Sequence, residues 1–141
     1  MNVLVDTPIW SLALRRRNKP ANPAEAQLKA ELEELIREGR AELLGPVRQE
    51  LLSGIKENTQ FERIRKFLQA FQDPALTAED FEDAARMSNT CRTRGITGTP
   101  VDMLLCAIAV RREWLLFTQD KNFVGYRKVL PLRMHKLRGG M

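Results

Sequence analysis

The sequence predicts an α/β fold built on a mainly parallel sheet with helical crossovers. Short apolar runs that suit buried strands alternate with longer segments of helical periodicity, an arrangement typical of parallel sheets. The length of 141 residues suits one domain spanning residues 1–141. Hydrophobic residues make up 43% of the chain and charged residues 29%, which provides enough apolar material for a core and excludes a largely disordered chain.

The first strand is predicted at residues 3–5, where a β-branched apolar run ends at Asp6. Thr7 and Pro8 indicate an N-cap followed by the first helical position. We therefore expect a short helix over residues 9–14, with Trp10 turned into the core. A basic loop follows over residues 15–20 and ends in proline.

The middle of the chain predicts a helix, a strand and a second helix. Four aliphatic residues recur on one helix face and Gly39 supplies a stop, which predicts a helix over residues 23–37. A strand is expected at residues 42–44. Gly45-Pro46 then starts another helix, which carries Glu50 and ends at Gly54.

Two further helices are predicted before residue 92. The first carries a broad apolar stripe that we interpret as core, with a groove for a partner helix or a dimer contact as the alternative. The second begins with Thr77 as N-cap, and residues 92–98 are expected to form a loop. The stripe consists of Phe61, Ile64, Phe67, Leu68 and Phe71, and the face of the second helix of Phe81, Ala84, Ala85 and Met87.

The last part of the chain repeats the cap-and-proline start at Thr99-Pro100, which predicts a helix with an apolar face. An apolar strand follows over residues 114–118, and Asp120 comes directly after it. Residues 129–132 are expected to form an edge strand, because Pro131 is poorly tolerated in a central one.

Composition excludes several classes of protein. No apolar run approaches the roughly 20 residues needed to cross a bilayer, and the first ten residues have no basic n-region, so we expect neither a membrane span nor a secretory signal. Cys91 and Cys106 make no disulfide framework, and we expect both to be buried in a reducing cytoplasm. A single histidine, His135, excludes a His-rich metal site and the usual Ser-His-Asp triad.

Four acids fall where a parallel sheet binds ligands, beyond the carboxyl ends of its strands. Asp6 and Asp120 follow strands, and Glu50 and Asp102 lie in helices that begin at the same edge. Two unit charges about 4 Å apart repel by roughly 4 kcal/mol at an effective dielectric near 20, so such a cluster requires a cation. Carboxylate oxygens suit Mg²⁺ or Mn²⁺, and two such ions about 3.5–4 Å apart hydrolyse phosphodiesters.

Each of these acids also has an ordinary structural interpretation. Asp6 would be a strand-ending cap, Asp120 a turn residue and Glu50 an unremarkable helix residue. Asp102 stands three residues after Thr99, which suits a capping box. We favour the functional interpretation because all four acids converge on one predicted edge.

Four segments resemble the PIN-domain ribonucleases, and among them most closely the VapC toxins of toxin–antitoxin pairs. They begin at Val3, Val47, Asp102 and Thr118 and read VLVDTPIW, VRQELLSG, DMLLCAIA and TQDKNF. The segments occur in the family's order and cover nearly the whole chain. One of them alone would be a weak signal, but four in series are fairly specific.

This resemblance implies an α/β/α sandwich with a central, mainly parallel sheet, and Mg²⁺- or Mn²⁺-dependent cleavage of RNA. It further implies a cytoplasmic homodimer, bound by a VapB-like antitoxin whose tail occupies the acidic groove. It assigns metal binding and catalysis to Asp6, Glu50, Asp102 and Asp120. Thr118 matches a hydroxyl that supports the last acid in the family, and Thr7 is expected to do the same beside Asp6.

The chain departs from many relatives at two places. Asn122 stands where a further acid is common, which is expected to affect metal affinity rather than the chemistry. Thr7 and Pro8 stand where many relatives carry Asn or Ser, which leaves the hydrogen bonding around Asp6 open.

We therefore expect a metal-dependent endoribonuclease that acts as a toxin. The alternative is a PIN-like module that binds RNA or a partner without cleaving, while a phosphatase is disfavoured because Pro8 replaces its usual second aspartate. The net charge of +5 favours an anionic partner such as nucleic acid, although a solvated basic face would give the same balance. The candidate RNA-binding residues are Arg15, Arg16, Arg17 and Lys19, then Arg92 and Arg94.

Overall fold

The centre of the computed structural model, which describes residues 1–14 and 22–138, is a parallel sheet of three strands. Its order is β2-β1-β3, so the first strand of the chain lies in the middle. In the register, Val3 lies opposite Ala41 on one side and opposite Leu115 on the other. The strands are β1 (Val3–Val5), β2 (Ala41–Glu42) and β3 (Leu115–Phe117).

Helices flank this sheet in the manner of an α/β/α sandwich, as the resemblance implied. Among the described residues, none of the helices is both long enough and apolar enough to cross a membrane. The helices are α1 (Thr7–Leu14), α2 (Pro23–Arg37), α3 (Gly45–Leu52), α4 (Asn58–Leu68), α5 (Ala78–Thr93), α6 (Pro100–Arg112) and α7 (Asn122–Arg127).

The central strand fixes the position of Asp6. A strand covered on both faces needs a continuous apolar run, and every side chain of Val3–Val5 is fully buried. The Asp6 amide extends the ladder by donating to the Phe117 carbonyl at 3.0 Å. The indole of Trp10 donates to the Val5 carbonyl at 3.1 Å, which holds α1 over the end of β1. Asp6 is therefore anchored at the carboxyl end of the middle strand.

Several predicted helix boundaries are confirmed. The long second helix has the predicted bounds of residues 23–37, and Asn22 caps it. Gly39 and Gly54 follow α2 and α3 with φ of 69° and 83°, a left-handed backbone that favours glycine over other residues. Cys91 and Cys106 are free and buried, as expected.

Two predicted boundaries near the sheet are wrong. α1 begins at Thr7 rather than after it, because the Asp6 carbonyl accepts the Ile9 amide at 3.1 Å and thereby closes the first turn. The cap position therefore belongs to Asp6. β2 covers Ala41–Glu42 and not residues 42–44, since the two leucines that follow are buried in the lead-in to α3 rather than paired in the sheet.

The predicted helix faces around α4 and α5 are only partly confirmed. Of the apolar stripe, Ile64 and Leu68 are buried while Phe67 is exposed, and α4 ends before Phe71. Phe71 instead packs edge-on against the ring of Trp10 at 4.8 Å. Phe81 is exposed rather than packed in the core, and α5 runs on through residue 93, so the predicted loop begins later.

The predicted strand at residues 129–132 is wrong. Pro131 has no amide to donate, and the chain meets the edge of β3 only after it, in a single parallel bridge between Met134 and Leu116. The Leu116 amide donates to the Arg133 carbonyl at 2.9 Å, and the His135 amide donates to the Leu116 carbonyl at 2.7 Å. The helix that precedes this segment, α7, was not predicted from the sequence.

The C-terminal segment, residues 133–138, binds α2 through the buried carboxylate of Glu31. Its Oε2 lies 2.5 Å from Nε2 of His135 and accepts Nε of Arg138 at 3.0 Å. The only histidine of the chain therefore serves the packing of this segment against α2.

A buried acid joins α5 to α6. Asp80 is 1% exposed and completes a capping box with Thr77 at the start of α5. It also accepts Nε of Arg111 at 2.8 Å and lies 3.3 Å from Nη2 of Arg112. Burial alone would raise the pKa of Asp80, but the Thr77 amide and the two guanidinium groups outweigh it and hold this pKa below its usual value.

Replacing Asp80 with alanine should therefore destabilise the protein by about 3 kcal/mol, because two guanidinium groups lose a shared buried partner. Urea unfolding of the purified variant measures this loss. Glu79→Ala is the matched control, since Glu79 also pairs with Arg111 but its side chain is 74% exposed. That substitution should change stability little, and equal losses from both variants would contradict the importance of burial here.

Candidate active site

The fold brings the four predicted acids into one pocket. Asp6 follows β1, Glu50 lies on α3, Asp102 lies in the first turn of α6, and Asp120 lies between β3 and α7. All four line an open cavity of about 560 Å³ at the carboxyl ends of β1 and β3. The rest of its wall consists of Thr7, Pro8, Ser11, Thr99, Pro100, Val101 and Asn122.

Asp6 is held by hydrogen bonds to both of its carboxylate oxygens. It is 5% exposed, its Oδ1 accepts the Thr7 amide at 2.8 Å, and its Oδ2 accepts the Thr118 hydroxyl at 2.7 Å. The same hydroxyl accepts the Asp120 amide at 3.0 Å. Thr118 thus connects the first and the last acid of the pocket.

Asp102 makes only half of the capping box that its spacing from Thr99 suggests. Its amide donates to Oγ1 of Thr99 at 3.1 Å, but the carboxylate of Asp102 turns elsewhere. Oδ2 accepts the hydroxyl of Tyr126 at 2.8 Å, and the residue is 8% exposed. Asp80, in contrast, completes its box by accepting the Thr77 amide at 2.9 Å. The Asp102 carboxylate is therefore used in the pocket rather than at the helix start.

The other two acids are more exposed. Oδ1 of Asp120 accepts the Asn122 amide at 2.9 Å, a local turn bond of the kind considered above as an alternative role. Oε2 of Glu50 accepts the Thr7 hydroxyl at 3.0 Å. Both predicted supporting hydroxyls thus contact acids. Thr7 donates to Glu50 rather than to Asp6, and Thr118 donates to Asp6 while accepting the Asp120 amide.

The pocket is electrostatically unfavourable for its own buried carboxylates. Burial is the main reason that the pKa values of Asp6 and Asp102 are raised. Asp120 raises both pKa values further by like-charge repulsion, while the bonds from Thr118 and Tyr126 lower them. Within the described residues, the salt bridges include none to the four acids.

The donor chemistry of the pocket fits a hard divalent cation, because carboxylate oxygens are what Mg²⁺ and Mn²⁺ prefer. A cation also relieves the repulsion among carboxylates that have no cationic partner. However, no three His, Cys, Asp or Glu side chains of residues 1–14 and 22–138 are arranged as a metal-binding group.

The predicted RNA-binding residues lie beside the pocket or outside the described residues. Arg92 is exposed in the last turn of α5 and lines an apolar groove that shares Pro100 and Val101 with the acidic pocket. Arg94 is exposed and caps α5 at its C-terminal end. The remaining four, Arg15, Arg16, Arg17 and Lys19, lie outside the described residues.

Sequence reasoning missed Tyr126 as a residue of the site. Tyr126 lies on α7, a six-residue helix that was not predicted, and its ring packs edge-on against Phe123 at 5.0 Å. The available signal was the spacing of Phe123 and Tyr126, three residues apart directly after Asp120, which places both on one face of a helix.

An acidic pocket beyond the carboxyl ends of a short parallel sheet, under flanking helices, is the architecture that the resemblance implied. The model of the PIN domain family matches residues 3–129. The chain therefore belongs to the PIN domain family. No curated protein matches it in the corresponding comparison.

Three solved structures share this fold at low sequence identity. FitAcB from Neisseria gonorrhoeae aligns with a TM-score of 0.75 and 17% identity, over 98% of this chain and 99% of that one. VapBC2 from Rickettsia felis, bound to a DNA fragment from its promoter, gives a TM-score of 0.71, 18% identity and coverages of 96% and 98%. A toxin–antitoxin complex from Klebsiella pneumoniae gives a TM-score of 0.61 and 22% identity, over 88% of this chain and 92% of that one.

Removing one buried charge should stabilise the metal-free protein. A carboxyl whose pKa is raised by folding costs stability once it ionises, so its contribution worsens as the pH rises from acid to neutral. Asp6→Asn should therefore raise the melting temperature at pH 7 in the presence of a chelator. A gain of 1 kcal/mol corresponds to about 2–4 °C in a domain of this size. The stability of this variant should also fall less between acid and neutral pH than that of the unmodified protein.

Asp83→Asn is the control, for which we expect the opposite change in stability at pH 7. Hydrogen bonds from Arg111 and Arg86 lower the pKa of Asp83, so its ionised form stabilises the fold at pH 7 and that contribution disappears in acid. This variant should melt lower than the unmodified protein at pH 7. A fall in melting temperature for both variants would contradict the unfavourable electrostatics assigned to the pocket.

Proposed function

We propose that this PIN-domain protein is a metal-dependent endoribonuclease that hydrolyses RNA phosphodiester bonds and acts as the toxin of a toxin–antitoxin pair. The observation that carries the proposal is the convergence of Asp6, Glu50, Asp102 and Asp120 on one pocket. The two buried members of this set lack a guanidinium or ammonium partner among the described residues, so their charge calls for a cation. Membership of the PIN domain family supports the same chemistry.

The residues that would hold Mg²⁺ or Mn²⁺ are the four acids. Such an ion, when bound, supplies a Lewis acid that activates water and stabilises negative charge on the phosphate. The chain supplies the rest of the arrangement. Thr118 holds Oδ2 of Asp6 and the amide of Asp120, and Thr7 holds Oε2 of Glu50. These hydroxyls restrict the directions in which the carboxylates of Asp6 and Glu50 face, and Thr118 also holds the backbone of Asp120.

RNA would approach this acidic pocket across a basic surround. The net charge of +5 supports such an approach, because phosphate contacts supply much of the affinity of proteins for nucleic acid. Arg92 is the best placed of the described candidates, since the groove that it lines adjoins the acidic pocket at Pro100 and Val101. Arg94 follows it at the end of the same helix.

An antitoxin partner is supported by the solved structures of the same fold. The one from Klebsiella pneumoniae is a toxin–antitoxin complex, and the one from Rickettsia felis is the VapBC2 complex on promoter DNA. We therefore propose a VapB-like antitoxin for this chain. A homodimeric state and a cytoplasmic location are proposed from the resemblance to VapC toxins, and two free, buried cysteines are compatible with that location.

The second candidate is a PIN-like module that binds RNA or a partner without cleaving it. One observation favours it: the described residues include no ready group of three metal-binding side chains. The two candidates differ in whether a divalent ion binds the folded protein and in whether RNA is cut.

Asp6→Asn should lower metal-dependent RNA cleavage by about 100-fold or more, the equivalent of roughly 3 kcal/mol of transition-state stabilisation. The measurement is the rate at which defined single-stranded RNAs are cut in Mg²⁺ or Mn²⁺, with near-native circular dichroism as evidence of folding. Glu33→Gln, which neutralises an exposed acid on α2, is the matched control and should cut at the original rate. Cleavage by Asp6→Asn at that rate would contradict the site assignment.

Mg²⁺ or Mn²⁺ should raise the melting temperature of the unmodified protein. An ion that binds only the folded state stabilises it by about 2.7 kcal/mol at 100 times its dissociation constant. The increase should be much smaller in the Asp6→Asn variant and unchanged in Glu33→Gln. If neither ion moved the melting temperature of the unmodified protein, the non-cleaving module would be the better description.

A further inference from the structure

The hydroxyl of Tyr126 contacts one acid of the pocket from the protein interior. Tyr126 is 1% exposed, and its hydroxyl donates to Oδ2 of Asp102 at 2.8 Å in a buried hydrogen bond. Tyr126 itself does not line the pocket, which it reaches only through Asp102.

The position of Tyr126 depends on α7, which starts within the site itself. The Phe123 amide donates to the Asp120 carbonyl at 3.1 Å in the first turn of this helix, and the Phe123 ring packs against Tyr126. One short helix, α7, therefore begins next to Asp120 and carries the hydroxyl that bonds to Asp102. The relative placement of Asp102 and Asp120 is thereby linked through α7.

Core packing alone does not account for a tyrosine at this position. A phenylalanine would fill almost the same volume without placing a polar atom in the core, where an unpaired hydroxyl is costly. The hydroxyl of Tyr126 is paired, because it donates to one of the four acids. Asp102 otherwise lacks a cationic partner among the described residues.

We infer that Tyr126 is a positioning residue that orients the carboxylate of Asp102 for a divalent cation, a role that rests on the function proposed above. By engaging Oδ2, the phenol restricts the rotation of the Asp102 carboxylate, which would help to hold the ion. Groups that hold metal ligands in this way typically contribute 10- to 100-fold to metal affinity.

The first test compares Mn²⁺ binding to the unmodified protein and to Tyr126→Phe, with free Mn²⁺ measured by electron paramagnetic resonance. The affinity should fall by about 10- to 100-fold. Repeating the substitution in an Asp102→Asn background should produce no further loss, because the hydroxyl acts through Asp102. A residue with a merely structural role would lower the melting temperature of metal-free protein while leaving the Mn²⁺ affinity of folded protein unchanged, and that result would overturn the inference.

The second test needs no substitution at residue 126. Tyr126 is the only tyrosine of the chain, so protein labelled with ¹³C at the tyrosine ζ carbon gives a single phenol signal. Saturating Mg²⁺ should shift this signal in the unmodified protein and leave it unmoved in Asp102→Asn. A signal that stays constant while Mg²⁺ raises the melting temperature would show that the phenol does not sense the ion, and the inference would fall.

Failure of the inference can be distinguished from failure of the proposed function. If the unmodified protein binds Mn²⁺ and cuts RNA while Tyr126→Phe does so equally well, only the role of Tyr126 is wrong. If the unmodified protein neither binds an ion nor cuts RNA, the nuclease proposal fails, and the role of Tyr126 fails with it.

Discussion

The constraint that shapes the acidic pocket is like-charge repulsion among four carboxylates, two of them buried and two more exposed. Asp6 and Asp102 are buried, and the neighbouring acids act on both through like-charge repulsion. Hydrogen bonds to charged groups contribute about 1.5–3 kcal/mol each, which offsets much of the cost of burial. They do not remove the mutual repulsion, because a neutral donor adds no net positive charge. The pocket therefore retains a negative field that only a cation, or a cationic group of a ligand, can neutralise.

The buried acids of this chain have two different kinds of hydrogen-bond partner. At Asp80 the partners are guanidinium groups of Arg111 and Arg112, and the result is a fixed contact between two helices. At the pocket the partners are hydroxyls and amides located at strand ends and helix starts, which leave the charge uncompensated. A parallel sheet produces this outcome naturally, since its strands all end at one edge and the following helices begin there. Asp80 thus stabilises the fold, whereas ionised Asp6 and Asp102 reduce the stability of the metal-free protein.

Local signals made much of this architecture predictable. The apolar run before Asp6, the proline-containing helix starts and the glycine stops depend on neighbouring residues, and these elements lie where they were expected. The edge contact at Met134, the extension of α5 and the short helix α7 depend on partners far along the chain, which periodicity does not reveal. The four acids were found because each borders apolar sequence. Tyr126 was not, because an aromatic residue on a helix face is usually core and its hydroxyl partner lies on another element.

The bond from Thr118 to Asp6 has a consequence for how the protein is made. It joins residues separated by 112 positions, and the bond from Tyr126 to Asp102 adds a contact from still later in the chain. A nascent chain that has emerged only as far as α6 therefore has its first three acids but not the hydroxyls that orient two of them. The pocket is complete only once the chain has been synthesised through α7, so a shorter nascent chain lacks the bonds that orient Asp6 and Asp102.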